Sequence, residues 1–157
     1  MKLSSENIRN ILFGIEDSLV STSGFLFGLS AADYTKSQVF VAGIIIITVE
    51  SVSMGAGAFL TEKETEEIDN KRKDEESPIK DGLLMLVSYF AAGFIPLVPY
   101  LLFSGAQAQI VSLAAAIIAL YFLGYIPTKK VKSGLRMVII AGLAATVGFL
   151  VGSVLKI

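Results

Sequence analysis

The chain has 157 residues, a net charge of −1, neither cysteine nor histidine, and 54% hydrophobic residues, for a mean hydropathy of +0.70. That is too apolar for an ordinary water-soluble domain. It also excludes disulfides, thiolates and imidazole ligands. Any metal site must then draw on carboxylates, thioether, hydroxyls, carbonyls and water, a set better suited to Mg²⁺, Mn²⁺ or Fe²⁺ than to structural zinc.

Five apolar runs, at about 11–32, 38–60, 82–103, 107–126 and 135–155, each approach the roughly 20 residues a helix needs to cross hydrocarbon. They are too long, and alternate too little, for strands. The expectation is an all-α integral membrane protein. Residues 1–157 form a single transmembrane domain in the lipid bilayer, with no phosphate-binding glycine loop and no nucleic-acid module.

The first run carries Glu16 and Asp17 near its start. Asp17 shares a helical face with Ser21, Gly24 and Gly28, and the two glycines make a small-xxx-small pair of the kind that lets helices approach closely in lipid. If that seam is a two-fold contact between subunits, two Asp17 carboxylates face each other and can hold a proton or a divalent cation. Glu16 points to another face, with Val20 and Phe27, and reads as peripheral. A snorkelling or capping role is the alternative for Asp17. Residues 32–37 form a short turn.

The second run, IIIITVESVSMGAGAF (44–59), sets Glu50 in the middle of an apolar stretch. A carboxylate near the bilayer centre costs at least about 2.5–3.5 kcal/mol on insertion scales, so it calls for a functional reason. Glu50 lies roughly 16 Å from the end of its span at 1.5 Å per residue. Met54, Gly57, Thr61 and Glu64 continue the same face if the helix runs on unbroken. The alternative is a protonated Glu50 hydrogen-bonded across a helix interface.

Residues 61–80 form the one sizeable hydrophilic segment, with eight acids and four bases between 61 and 77. Glu62, Glu66 and Asp69, and Glu64 and Glu67, fall at helical spacings. The segment is either a solvated extension of helix two or an acidic antechamber that gathers cations. In the third run Pro96 and Pro99 interrupt backbone hydrogen bonding, as a kink, a hinge or a source of free carbonyls. A turn over residues 126–130 precedes the fifth run, whose Ala144, Gly148 and Gly152 read as packing.

Eleven of the thirteen Lys and Arg flank the spans on one side, leaving Lys36 and Lys156 opposite. The positive-inside rule puts the N-terminus in the cytoplasm and the C-terminus outside.

Four stretches resemble the vacuolar iron transporter family: GIEDSLVSTSGFLFGLSAA, VESVSMGAGAFLTEKE, AAGFIPLVPYLL and GLRMVIIAGLAATVGFLVG, in the family's order. The resemblance implies a five-helix fold, a homodimer with its pathway along the subunit interface, and export of Fe²⁺ or Mn²⁺ from the cytoplasm coupled to proton uptake. It implies no permanently bound cofactor and no enzymatic activity. Asp17 matches the family's first-helix acid, and Glu50 and Met54 match the acid and methionine of its second-helix motif. Glu64 is the next candidate ligand, followed by Glu16, Glu62 and Glu67. Ser18, Glu16 and Ala58 depart from the common glycine, asparagine and glutamate, and the inner segment is far shorter than that of plant-type members. A prokaryotic plasma membrane is the expected location, with an organelle membrane as the alternative. The rival functions are a proton-coupled organic-cation exporter and a non-transporting scaffold. Against the exporter, there is no Trp and no aromatic within a turn of Glu50 in sequence.

Overall fold

A computed structural model describes residues 4–68 and 77–155. Asp69 and the centre of the acidic segment lie outside the described residues, as do Lys2, Lys71, Arg72, Lys73 and Lys156 of the charge count. The described chain forms α1 (Ser5–Ala31), α2 (Lys36–Ile68), α3 (Pro78–Leu102), α4 (Gly105–Thr128) and α5 (Val131–Val154). All five are long and apolar enough to cross a membrane.

The helices outrun the apolar runs that mark them, because local chemistry sets their ends. Ser4 caps α1 by accepting the Asn7 amide at 3.1 Å. Pro78 opens α3 at its first position, where a missing N–H costs nothing. Asp33 (φ 63°) and Lys129 (φ 55°) turn the chain through the left-handed region, and Gly105 (φ 57°) does so at the start of α4. The α4–α5 turn is therefore narrower than expected, because α4 runs through Pro127 to Thr128. Helix α3 continues through Pro96 and Pro99, and the Ser112 hydroxyl of α4 donates to the Pro96 carbonyl at 2.6 Å. Helix α2 runs 33 residues, about 50 Å at 1.5 Å per residue, and continues past the apolar run to Ile68, as an extension of helix two into the acidic segment requires.

Helices α1 and α3 are the most buried, and the others pack around them. α1 lies parallel to α3 at a nearly constant sequence offset. Asn10 bonds Asp81 and Ser18 bonds Tyr89, each 71 residues on, and Ser30 bonds Tyr100, 70 on. Apolar clusters fill between these bonds: Leu19, Ala92, Leu120 and Ala141 in one layer, and Leu26, Val39, Ile47, Leu97, Tyr100 and Ala108 in another.

The glycine stripe of α1 has a different partner from the one considered above. A Cβ on Gly28 would lie 2.8 Å from the Gly148 carbonyl oxygen, and one on Gly24 3.0 Å from that of Ala144. Cβ atoms on Gly148 and Gly152 would fall onto the carbonyls of Gly24 and Gly28. The seam thus joins α1 to α5 of the same chain.

This packing makes a prediction. Gly148→Val should cost about 1–3 kcal/mol, the usual penalty of overpacking, seen as a lower Tm in detergent. Gly142→Ala, where a Cβ meets nothing within 4 Å, should leave Tm unchanged. Equal responses would mean that α1 and α5 are not in close contact.

Candidate functional site

The intramembrane acids lie on α1 and α2, and both helices pack on α3. Antiparallel packing of α2 on α3 sets Gly93 against Ile47 and Leu97 against Gly43, and the following turn of α2 carries Glu50. Tyr89 is fully buried. Its phenol lies within electrostatic range of both Glu50 and Asp17. It shares a 2.7 Å hydrogen bond with the Ser21 hydroxyl, while Ser18 donates to its backbone carbonyl at 2.7 Å. The buried Thr22 hydroxyl adds a third oxygen beside the phenol, though not in the geometry of a full hydrogen bond. Glu16, Asp17 and Glu50 are each half-buried.

Towards the end of the bundle that holds the N-terminus, a groove of about 520 Å³ opens between α1 and α2. Ser53, Met54, Gly57 and Thr61 line it from α2, and Arg9, Asn10 and Phe13 from α1. Met54 faces this groove. So does Glu62, which closes its wide end, whereas Glu64 and Glu67 are exposed and are not among the lining residues. The structure therefore brings Met54 together with Glu62, and sets Glu64 apart. Arg9 spans the opening, its Nη2 3.2 Å from Glu6 and 3.3 Å from Glu62.

Among the described residues no three acidic side chains converge closely enough to hold a metal ion. Two chemically important groups escape a reading by sequence. Asp81, in the first turn of α3, looks like one more charge in a hydrophilic segment. It is 2% exposed, and Asn10 Nδ2 donates to its Oδ1 at 2.7 Å. An acid three residues after an N-terminal proline is the usable signal, because helix starts favour negative charge. Tyr89 lies in an apolar run, and nothing in sequence pairs it with Asp17 or Glu50.

The VIT family model matches residues 8–76 and 61–153, in two stretches that overlap in the acidic segment. The chain belongs to the VIT family. Among its relatives, "Vacuolar iron transporter 1" of Oryza sativa subsp. japonica is 24% identical over 212 aligned positions, covering 93% of this chain and 84% of that protein. "Vacuolar iron transporter 1" of Arabidopsis thaliana is 23% identical over 219 positions, with coverages of 98% and 88%. "Vacuolar iron transporter" of Toxoplasma gondii is 24% identical over 229 positions, with coverages of 98% and 76%. These alignments exceed 157 positions, so the relatives carry residues that this VIT chain lacks.

The Asn10–Asp81 bond is testable without transport. Asn10→Ala should destabilise the protein by about 1–3 kcal/mol, because it removes a donor from a buried acceptor. Asp81→Asn should cost less in that variant than in the parent, because the bond it disturbs is already gone. Thermal unfolding of the two single variants and the double variant measures both effects. An additive further loss in the double variant would show that the two side chains are not coupled.

Proposed function

We propose that the protein is a divalent transition-metal transporter that moves Fe²⁺ or Mn²⁺ out of the cytoplasm in exchange for protons, working as a homodimer. The observation that supports this reading is that Asp17 and Glu50 lie half-buried on two membrane-spanning helices, both within electrostatic range of the buried Tyr89, in a chain whose α1–α2 groove holds Met54 and Glu62. Hard oxygen ligands suit both metals. The Met54 sulfur adds a soft contact that Fe²⁺ values more than Mg²⁺ or Ca²⁺ does. The names of the relatives support iron as cargo.

Exchange follows from competition for the same oxygens. A bare carboxylate is unfavourable in a low-dielectric interior, so such a group is occupied either by a proton or by a cation. Metal arriving from the cytoplasmic side displaces protons from Glu50 and Asp17. Protons arriving from outside later displace the metal. The charge bias supports an inward-facing N-terminus, which sets the α2 extension and its groove on the cytoplasmic side. There Glu62 lies at the groove mouth, with Glu64 and Glu67 on the exposed extension and Glu16 beside Asp17 as secondary ligands.

Among the described residues no three acidic side chains come together, and the Gly24 and Gly28 stripe packs on α5 of the same chain. Both points support a second copy that faces α1 and α2 and completes the coordination. We assign the protein to a prokaryotic plasma membrane. In an organelle membrane the same exchange would carry metal from cytoplasm to lumen.

The test is Fe²⁺ and Mn²⁺ flux into proteoliposomes under an imposed pH gradient, for the parent protein and Glu50→Gln. The parent should show flux driven by the gradient. Glu50→Gln should retain its fold and lose at least about tenfold in rate, as a residue that carries the exchanged charge must. Equal flux in both proteins would make Glu50 structural. Flux at the level of empty vesicles in both would remove the transport reading.

A further inference from the structure

The second half of the chain carries a charge imbalance that the transport reading does not use. All 14 Asp and Glu precede residue 82, whereas Lys129, Lys130, Lys132, Arg136 and Lys156 follow it. Four of these five bases fall at the turn between α4 and α5 and in the first turns of α5. All four are exposed, and among the described residues none of them forms an ion pair.

A general excess of bases on one side of a membrane needs no particular geometry. This hairpin has one. A Cβ on Gly124 would lie 2.6 Å from the Ser133 carbonyl oxygen, and one on Gly134 2.8 Å from that of Tyr121, so the ends of α4 and α5 meet backbone to backbone. Lys129 adopts the left-handed conformation (φ 55°). Its ammonium lies 6.0 Å from the centroid of the Tyr125 ring, which stacks on Tyr121. Lys132 and Arg136 stand at i, i+4 on one face of α5. Helical side chains lean towards the N-terminus of their helix, so both reach towards the turn, where the span leaves the hydrocarbon.

Apolar surface adjoins the cations. A cavity of about 200 Å³ opens between α1, α4 and α5. Leu12, Leu123, Pro127 and Met137 line it with apolar atoms, and Ser133 and Arg136 add polar groups. On the same turns of α4 and α5, Ile126, Val131, Leu135 and Ile139 are exposed. Unpaired cations at the end of a span, with open apolar surface beside them, match a molecule with an anionic head and a hydrocarbon tail. An acidic protein from the aqueous phase would neutralise the charges and leave the apolar surface uncovered. A zwitterionic lipid brings an ammonium of its own, which the four bases repel.

We propose that the α4–α5 hairpin binds an anionic phospholipid of the surrounding leaflet, with its phosphate among Lys129, Lys130, Lys132 and Arg136 and an acyl chain against the cavity beside Arg136. The inference goes beyond the transport reading and does not depend on which ion is carried. Bases at a membrane surface attract anionic headgroups, and basic pockets between membrane helices hold them. The close α4–α5 contact fixes the backbone that carries these bases before the lipid arrives, so less order is lost on binding. The attraction is between exposed charges, so salt weakens it.

The experiment measures lipid selectivity of the full-length protein in phosphatidylcholine membranes, from the electron paramagnetic resonance of chain-labelled phosphatidylglycerol and phosphatidylcholine. The proteins are the parent, Lys132→Gln/Arg136→Gln, the variant with all four bases changed to Gln, and Lys63→Gln/Lys80→Gln. The last removes two bases elsewhere in the chain. The number of phosphatidylcholine molecules immobilised per protein serves as the check that each variant is folded. The parent should prefer phosphatidylglycerol by at least about fivefold, the share of one base near the headgroups, and potassium chloride should weaken the preference. Lys132→Gln/Arg136→Gln should lose most of the preference, and the fourfold variant should fall to near parity. Lys63→Gln/Lys80→Gln should keep the parent's value. No preference in the parent, a preference that survives the fourfold change, or one untouched by salt would overturn the proposal. So would an equal loss in the two double variants, which would show a diffuse surface attraction without a site at the hairpin.

Discussion

In hydrocarbon, one apolar helix face gains little by leaving lipid for another, so the hydrophobic effect that folds a soluble domain does not hold this bundle together. Helices must instead be joined by close approach of their backbones and by a small number of polar bonds. Helix α1 uses both. Towards α5 it presents Gly24 and Gly28, whose carbonyls lie where side chains on Gly148 and Gly152 would be. Towards α3 it presents Asn10, Ser18, Ser21 and Ser30, each bonded to a partner on that helix. The rest of the structure is arranged around these two seams.

The polar seam also organises the chemistry. Ser18 and Ser21 hold Tyr89 by its carbonyl and its phenol, and that phenol lies within electrostatic range of Asp17 and Glu50. Bonds that set the register of α1 on α3 thus also set the position of the acid on α1 relative to the acid on α2. Side chains that bury polar groups in lipid are costly unless satisfied. In this protein the satisfied ones lie next to the carboxylates that the proposed exchange requires.

The bundle is asymmetric in a way that suits directional access. At one end α2 extends beyond its neighbours and carries Glu62, Glu64, Glu66 and Glu67 past the apolar layer, with the groove beneath it. At the other end the turns are short, and Leu26, Leu97, Ile47 and Val39 pack between the Tyr89 cluster and the Ser30–Tyr100 bond.

Much of this was legible without coordinates. Five apolar runs separated by polar punctuation determine five helices, because only a helix satisfies its own backbone in lipid over that length. The cost of a carboxylate in hydrocarbon marks Asp17 and Glu50, and helical spacing places Met54 on the side of α2 that faces the groove. Tertiary structure decided the rest. Helical period alone groups Asp17 with Gly24 and Gly28, but it cannot say which helix meets that stripe, and the answer is α5 of the same chain. It also cannot bring Asp81 to Asn10 or Tyr89 to Ser21 across about 70 residues. Nor can it choose Glu62 over Glu64 for the groove. Those outcomes depend on the order and offset in which the helices pack, and in lipid that offset is set by shape and by a few polar bonds between helices, which no single helix contains.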